Sequence, residues 1–138
     1  MKRLFLTFAI AIMTTSPATA DDPKPAADKR VFEMRTYYAH PGKMAAMHAR
    51  FRDHTCKLFE KHGMTIVGFW SPIDKDKSEE VLVYILAYPS KEAADKSWDA
   101  FRKDPDWIKA KADSEKDGPI VKKADSVFLS ATDYSKIK

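Results

Sequence analysis

V-F-E-M-R-T-Y-Y-A-H-P-G-K, residues 31–43, alternates like a strand, breaks at Pro41-Gly42 and then launches a long helix. Phe32, Met34 and Thr36 fall on one face of that strand. Val31, Glu33, Arg35 and Tyr37 fall on the other. The apolar set is expected to meet the helices, which leaves the Glu33/Arg35 face to meet water or a second surface.

Downstream, Met44, Met47, Phe51, Thr55 and Leu58 form one stripe of a helix expected over 43–62, flanked by His48 and His54. Gly63 is placed to end it, with Lys61 and His62 at the negative end of its dipole. Cys56 falls opposite the stripe and reads as an exposed bystander rather than a nucleophile. A second strand over 64–71 ends in Phe69-Trp70, and 72–79 reads as a charged hairpin loop. That loop opens D-x-D-x-S, but Glu79 and Ile85 stand where a calcium loop needs glycine and glutamate, which excludes the motif. The third strand, 81–88, is apolar throughout, as a central strand covered on both sides would be. Ser90 suits an N-cap for a helix whose inner stripe is Ala94, Trp98 and Phe101. Asp104 with Pro105 opens a further helix, stopped by Gly118-Pro119, and a last strand is expected over 126–132. Each half thus reads strand, proline turn, helix, strand. Two such halves make an α+β, ferredoxin-like split βαβ, a four-stranded antiparallel sheet with helices on one face.

Upstream the chain is of another kind. Lys2 and Arg3 precede an apolar run over 4–13 and an A-x-A site at 18–20, the pattern of a secretory signal peptide too short to span a bilayer. Residues 21–30 read as a flexible leader, 31–134 as one domain and 135–138 as a polar tail. The expectation is an exported protein, periplasmic or secreted, with no stable membrane insertion once the leader is gone. Of 138 residues, cleavage after Ala20 leaves 118, with 22 cations against 20 acids interleaved along the chain. Such a surface is a solvated one and excludes a nucleic-acid patch. Cys56 is the sole cysteine, so no internal disulfide staples the fold.

V-F-E-M-R-T-Y at 31–37, P-G-K at 41–43, H-G at 62–63, G-F-W at 68–70, V-Y-I-L-A-Y at 83–88 and D-P-D-W at 104–107 together resemble the NIPSNAP family, over residues 31–134. The resemblance implies a dimeric α/β barrel in which two ferredoxin-like sheets pack face to face. It also implies kinship with small monooxygenases and haem-degrading enzymes. Some family members carry two tandem copies where this chain has one, and an exported member departs from the common pattern. In such a dimer, Val67, Phe69 and their counterparts on the third strand would form the apolar patch that a second copy buries. The Glu33/Arg35/Tyr37 face would then look into the barrel. Three readings of it stay open: a register-fixing Glu33–Arg35 ion pair, a site where Arg35 and Tyr37 hold an anionic or polar ligand, or a strand whose faces are the other way round.

The candidate ligand-binding residues are Arg35, Tyr37, Glu33 and Trp70, while Trp98 and Trp107 read as packing. His48, His54 and His62 do not have the i, i+4 spacing of convergent metal ligands, so no metal is expected. Nucleophile-elbow, P-loop and dinucleotide motifs are missing from the sequence. Two function classes follow. One is a cofactor-free homodimeric module binding a small apolar or aromatic ligand, or a protein. The other is a monooxygenase-like or haem-degrading enzyme, with haem as the cofactor only in that case, revealed by a Soret shift and bleaching under reductant. Mass spectrometry of the protein exported by a bacterial host is expected to show a chain beginning at Asp21; an intact Met1 in the soluble fraction would overturn the leader reading.

Overall fold

The computed structural model describes residues 30–138; the expected signal peptide and all but the last residue of the leader lie outside them. The elements are β1 (Val31–Ala39), α1 (Met44–Arg50), a π-helical turn (Phe51–Thr55), α2 (Cys56–Lys61), β2 (Thr65–Trp70), α3 (Lys75–Ser78), β3 (Val81–Tyr88), α4 (Lys91–Lys103), α5 (Pro105–Ser114) and β4 (Val121–Ser130). The four strands form one antiparallel sheet in the order β2-β3-β1-β4, with β1 and β3 in the centre. This is the split βαβ that the sequence led us to expect.

Local chemistry sets most boundaries. The Ser90 side chain accepts from the Ala93 N–H at 3.1 Å, and that of Asp104 from the Asp106 N–H at 2.8 Å, so α4 and α5 both begin on true caps. Gly63 takes the positive φ of 76° that ends α2. The stripe Met44, Met47, Phe51, Thr55 and Leu58 is buried as read, although the helix is not uniform. From Phe51 it widens: the Cys56 N–H bonds the Phe51 carbonyl, and the Thr55 hydroxyl donates to the Arg50 carbonyl at 3.1 Å. The extra residue in that turn keeps Phe51, Thr55 and Leu58 on the sheet side.

Several expectations are corrected, the faces of β1 first. Glu33, Arg35 and Tyr37 point toward the helices: Glu33 bonds Trp98 of α4, and Tyr37 packs edge-on to Phe51 with centroids 5.9 Å apart. Phe32, Met34 and Thr36 lie on the sheet's other face, opposite Ala87, Ile85 and Val83 of β3. Hydrophobicity misleads here because the helix layer supplies polar partners for a buried carboxylate, while the apolar residues line a face that no helix covers. Phe69, expected on that open face, instead stacks on Tyr84 (5.2 Å) and packs against Phe51 (5.4 Å). The register of β2 slips between Ile66 and Gly68, and this bulge puts Val67 and Phe69 on different sides despite their spacing of two.

Smaller differences have equally local causes. The charged loop contains the short α3, started by Asp74 accepting from the Asp76 N–H. β4 begins at Val121, earlier than read, because an edge strand can hold Lys122 and Lys123 in solvent. Cys56 is half-buried and packs against the core, not exposed. β3 buries Leu82, Tyr84 and Leu86 under helices, while Val83 and Ile85 are only half-covered on the open face. Lys61 and His62 pair with Asp104, locking the end of α2 to the α4–α5 junction at 2.8 and 2.7 Å.

Candidate functional site around Glu33 and Arg35

Glu33 is a carboxylate buried in the helix–sheet layer, with 1% of its surface exposed. One carboxylate oxygen accepts from Arg35 Nη1 and Ser126 Oγ, both at 2.6 Å. The other accepts from the Tyr88 hydroxyl and the Trp98 indole N–H, both at 2.7 Å. Alternation puts Glu33 and Arg35 on one face of β1. The antiparallel register brings Ser126 of β4 opposite Arg35, and the α4 stripe drops Trp98 onto the pair. Four donors from β1, β3, β4 and α4 thus meet on one side chain. Burial alone would raise the Glu33 pKa, but the bonds from Ser126, Trp98 and Tyr88 and the charge of Arg35 outweigh it and hold the carboxyl below its ordinary value. Burial and then the bond to Glu33 push the Tyr88 phenol well above its ordinary value.

Arg35 is the more open partner, its side chain 18% exposed. Its guanidinium lies 4.3 Å from the Trp98 ring centroid and 5.6 Å from that of Tyr37. Burial opposes its charge, yet Tyr37, Tyr84 and Glu33 together more than restore it, so Arg35 stays cationic. Its Nε–H is buried and has no hydrogen-bond partner among the described residues; the hydroxyl of Tyr84 is in the same position. Tyr84 is the cross-strand partner of Arg35 and is fully buried. Burial and then Tyr37 push its phenol well up, with Arg35 pulling the other way. The Tyr37 ring sits 5.2 Å from that of Tyr84, without the geometry of a hydrogen bond between them.

The sequence candidates therefore separate. Glu33, Arg35 and Tyr37 come together, but in the helix–sheet layer rather than facing a barrel lumen. Trp70 is not with them. Half-exposed on edge strand β2, it lays its indole over Gly68, where a Cβ would stand 2.8 Å from the ring. It borders a surface cleft of about 330 Å³ shared with His48, Phe51, Arg52, Cys56 and Phe69. The Cys56 thiol there is raised by burial and then by Glu60, which makes it a poor nucleophile at neutral pH. Tyr84, Tyr88, Trp98 and Ser126 were missed as site residues. Tyr84, Tyr88 and Trp98 signal only as polar-tipped side chains within an apolar strand and stripe, Ser126 sits in a largely polar strand, and all four need the register to be read.

No group of three or more His, Cys, Asp or Glu side chains among the described residues could hold a metal ion. No helix of the described residues is long and apolar enough to cross a membrane.

A single antiparallel sheet in this order, helices on one face, is the architecture of the dimeric α/β-barrel-like proteins. The NIPSNAP family model matches residues 32–136, and the chain belongs to that family. Among solved structures it is similar to a NIPSNAP family protein of unknown function, Atu4242 from Agrobacterium tumefaciens, with 18% identity and a TM-score of 0.69 over 82% of this chain and 97% of that one. It is also similar to an uncharacterized NIPSNAP domain protein from Burkholderia xenovorans, at 20% identity and a TM-score of 0.64 over 76% and 97%. SnoaB, a cofactor-independent oxygenase from Streptomyces nogalater, shares the fold at 14% identity and a TM-score of 0.52, over 75% and 95%. No curated protein matches the chain.

Replacing Glu33 by Gln should cost about 3–5 kcal/mol, because four donors would then converge on a side chain that is itself half donor. Arg35→Met should cost less, since three donors still hold the carboxylate. Thermal melts of the two single variants and the double variant are expected to be non-additive, the double falling short of the sum by about 1–2 kcal/mol. Strictly additive losses would mean that the two side chains do not act on each other.

Proposed function

We propose that the protein is an exported homodimeric binding module for a small apolar or aromatic ligand. The observation that carries the reading is the open face of the sheet. Phe32 and Met34 of β1, Val83 and Ile85 of β3, and Val127 and Leu129 of β4 share that face, and no helix crosses it. Val127 and Leu129 are exposed, and at one end the C-terminal tail lies beside the face, its Ile137 bordering a groove of about 280 Å³ over Phe32, Val67 and Ile85. A contiguous apolar sheet face of this kind favours an interface over a solvated surface. A second copy, placed by a two-fold axis, offers the same apolar strip in return and needs no other partner.

Binding is favoured over catalysis by the state of Glu33. A general base needs a free acceptor site within reach of a substrate proton. Both oxygens of Glu33 are already filled by donors of the protein itself. Beside it, the Arg35 Nε–H and the Tyr84 hydroxyl have no partner among the described residues, and both can donate to a ligand.

Light scattering on the purified mature chain is expected to give twice the mass of one chain at micromolar concentration. Ile85→Glu, at the centre of the open face opposite Met34, should give a folded monomer, because each interface would bury an unpaired carboxylate. A monodisperse wild-type monomer, or an Ile85→Glu variant that stays dimeric, would contradict the reading.

A further inference from the structure

Two buried donors on paired strands of the helix–sheet layer have no hydrogen-bond partner among the described residues: the Nε–H of Arg35 and the hydroxyl of Tyr84. They stand on the two central strands as direct cross-strand partners, on the same face of the sheet. An unpartnered donor out of reach of water is costly, and two on directly paired residues are rarely kept without an acceptor to serve. We propose that Arg35 and Tyr84 form the donor pair of a ligand site, and that the site takes one oxygen of a small uncharged aromatic carbonyl compound. This rests on the binding-module reading and gives it a place and a ligand class.

Charge decides between the acceptors that such a pair could take. Glu33 already balances Arg35 at 2.6 Å. A carboxylate or phosphate would therefore bring an uncompensated negative charge into the layer, and its desolvation would have no second cation to offset it. A carbonyl oxygen accepts two hydrogen bonds and carries no charge. A hydrocarbon fills neither donor. The aromatic part of the ligand follows from the surroundings: Tyr37 flanks both donors, with its ring 5.2 Å from Tyr84 and 5.6 Å from the guanidinium, and Trp98 stacks on Arg35 at 4.3 Å.

The way in is on the flank of β4. Arg35 is partly exposed, and Ala124 and Ser126, which face the same side of the sheet from β4, are exposed. Only the ligand's oxygen need enter the layer; its ring can rest on Tyr37, which is partly exposed. The arrangement also explains why Glu33 is so fully bonded. It fixes Arg35 by one nitrogen and leaves Nε for the ligand.

The test uses the full mature chain and three compounds of similar size: acetophenone (carbonyl, neutral), ethylbenzene (no acceptor) and benzoate (charged). Proton–nitrogen NMR reports directly on the Arg35 Nε–H and the Trp98 indole N–H. Acetophenone is expected to shift both signals saturably, while ethylbenzene and benzoate bind at least about tenfold more weakly at this site. Tyr84→Phe should weaken acetophenone about fivefold, the loss of one hydrogen bond. It should also melt no lower than wild type, since the missing hydroxyl had no partner to lose. An Arg35 Nε–H signal indifferent to acetophenone overturns the proposal. So does equal binding of ethylbenzene, or a Tyr84→Phe variant that binds unchanged or melts several degrees lower. Equal binding of all three compounds by a dimeric protein would sink this assignment alone and leave the module standing. A monomeric protein would instead count against the module.

Discussion

A carboxylate placed inside a helix–sheet layer is unfavourable by several kcal/mol unless its lone pairs are filled, and here Glu33 is filled from four directions. That requirement constrains the rest of the fold. β4 must pair with β1 in the register that brings Ser126 within reach, β3 must carry Tyr88 on the same face, and α4 must cross so that the Trp98 indole points down. A slip of one residue in either strand pairing would turn Ser126 or Tyr88 to the other face and leave a buried charge short of partners. The apolar core gives the layer its cohesion, through Phe51, Phe59, Tyr84 and Phe101 packed ring against ring. The carboxylate gives it a single register.

The same constraint shapes the chemistry at the site. Glu33 engages Arg35 through one nitrogen, the guanidinium lies over the Trp98 ring, and its Nε–H has no partner among the described residues. Tyr84 is the cross-strand partner of Arg35, with a hydroxyl that has no hydrogen-bond partner among the described residues. The layer between helices and sheet is thus both the structural centre and the place with unspent hydrogen-bonding capacity. The opposite face of the sheet is apolar and suits a partner rather than a small polar ligand. One sheet serves two surfaces with different chemistry, and the alternation of β1 sorts its residues between them.

Much of this architecture is legible in the sequence. Helical stripes, the caps Ser90 and Asp104, the glycine at 63 and the unbroken third strand lead to the split βαβ, because each depends on residues near one another in the chain. What could not be read depends on register. The alternation of β1 gives two faces but not which one meets the helices, and hydrophobicity chose wrongly: Phe32 and Met34 are on the open face and Glu33 is inside. No local pattern announces that Ser126, 93 residues away, will complete that carboxylate. The bulge in β2 reverses Phe69 relative to Val67, and nothing but Gly68 hints at it. Tyr37 and Arg35 were found as candidates, whereas Tyr84 was hidden within a strand whose apolar character made it look like packing alone.

Glu33 is an ionised, fully bonded carboxylate inside the layer, and its own titration reports on that state. A carboxyl held below its unfolded pKa of about 4.3 contributes stability that is present above that value and lost as the pH falls through the folded pKa. Carbon-13 NMR of the Glu33 carboxyl should therefore show the ionised form persisting through the pH range in which exposed glutamates protonate. Its change should come only at more acid pH, together with loss of the native fold. A Glu33 carboxyl that protonates at or above the ordinary glutamate value, with the fold intact, would mean that the buried carboxylate is not held ionised by its four donors.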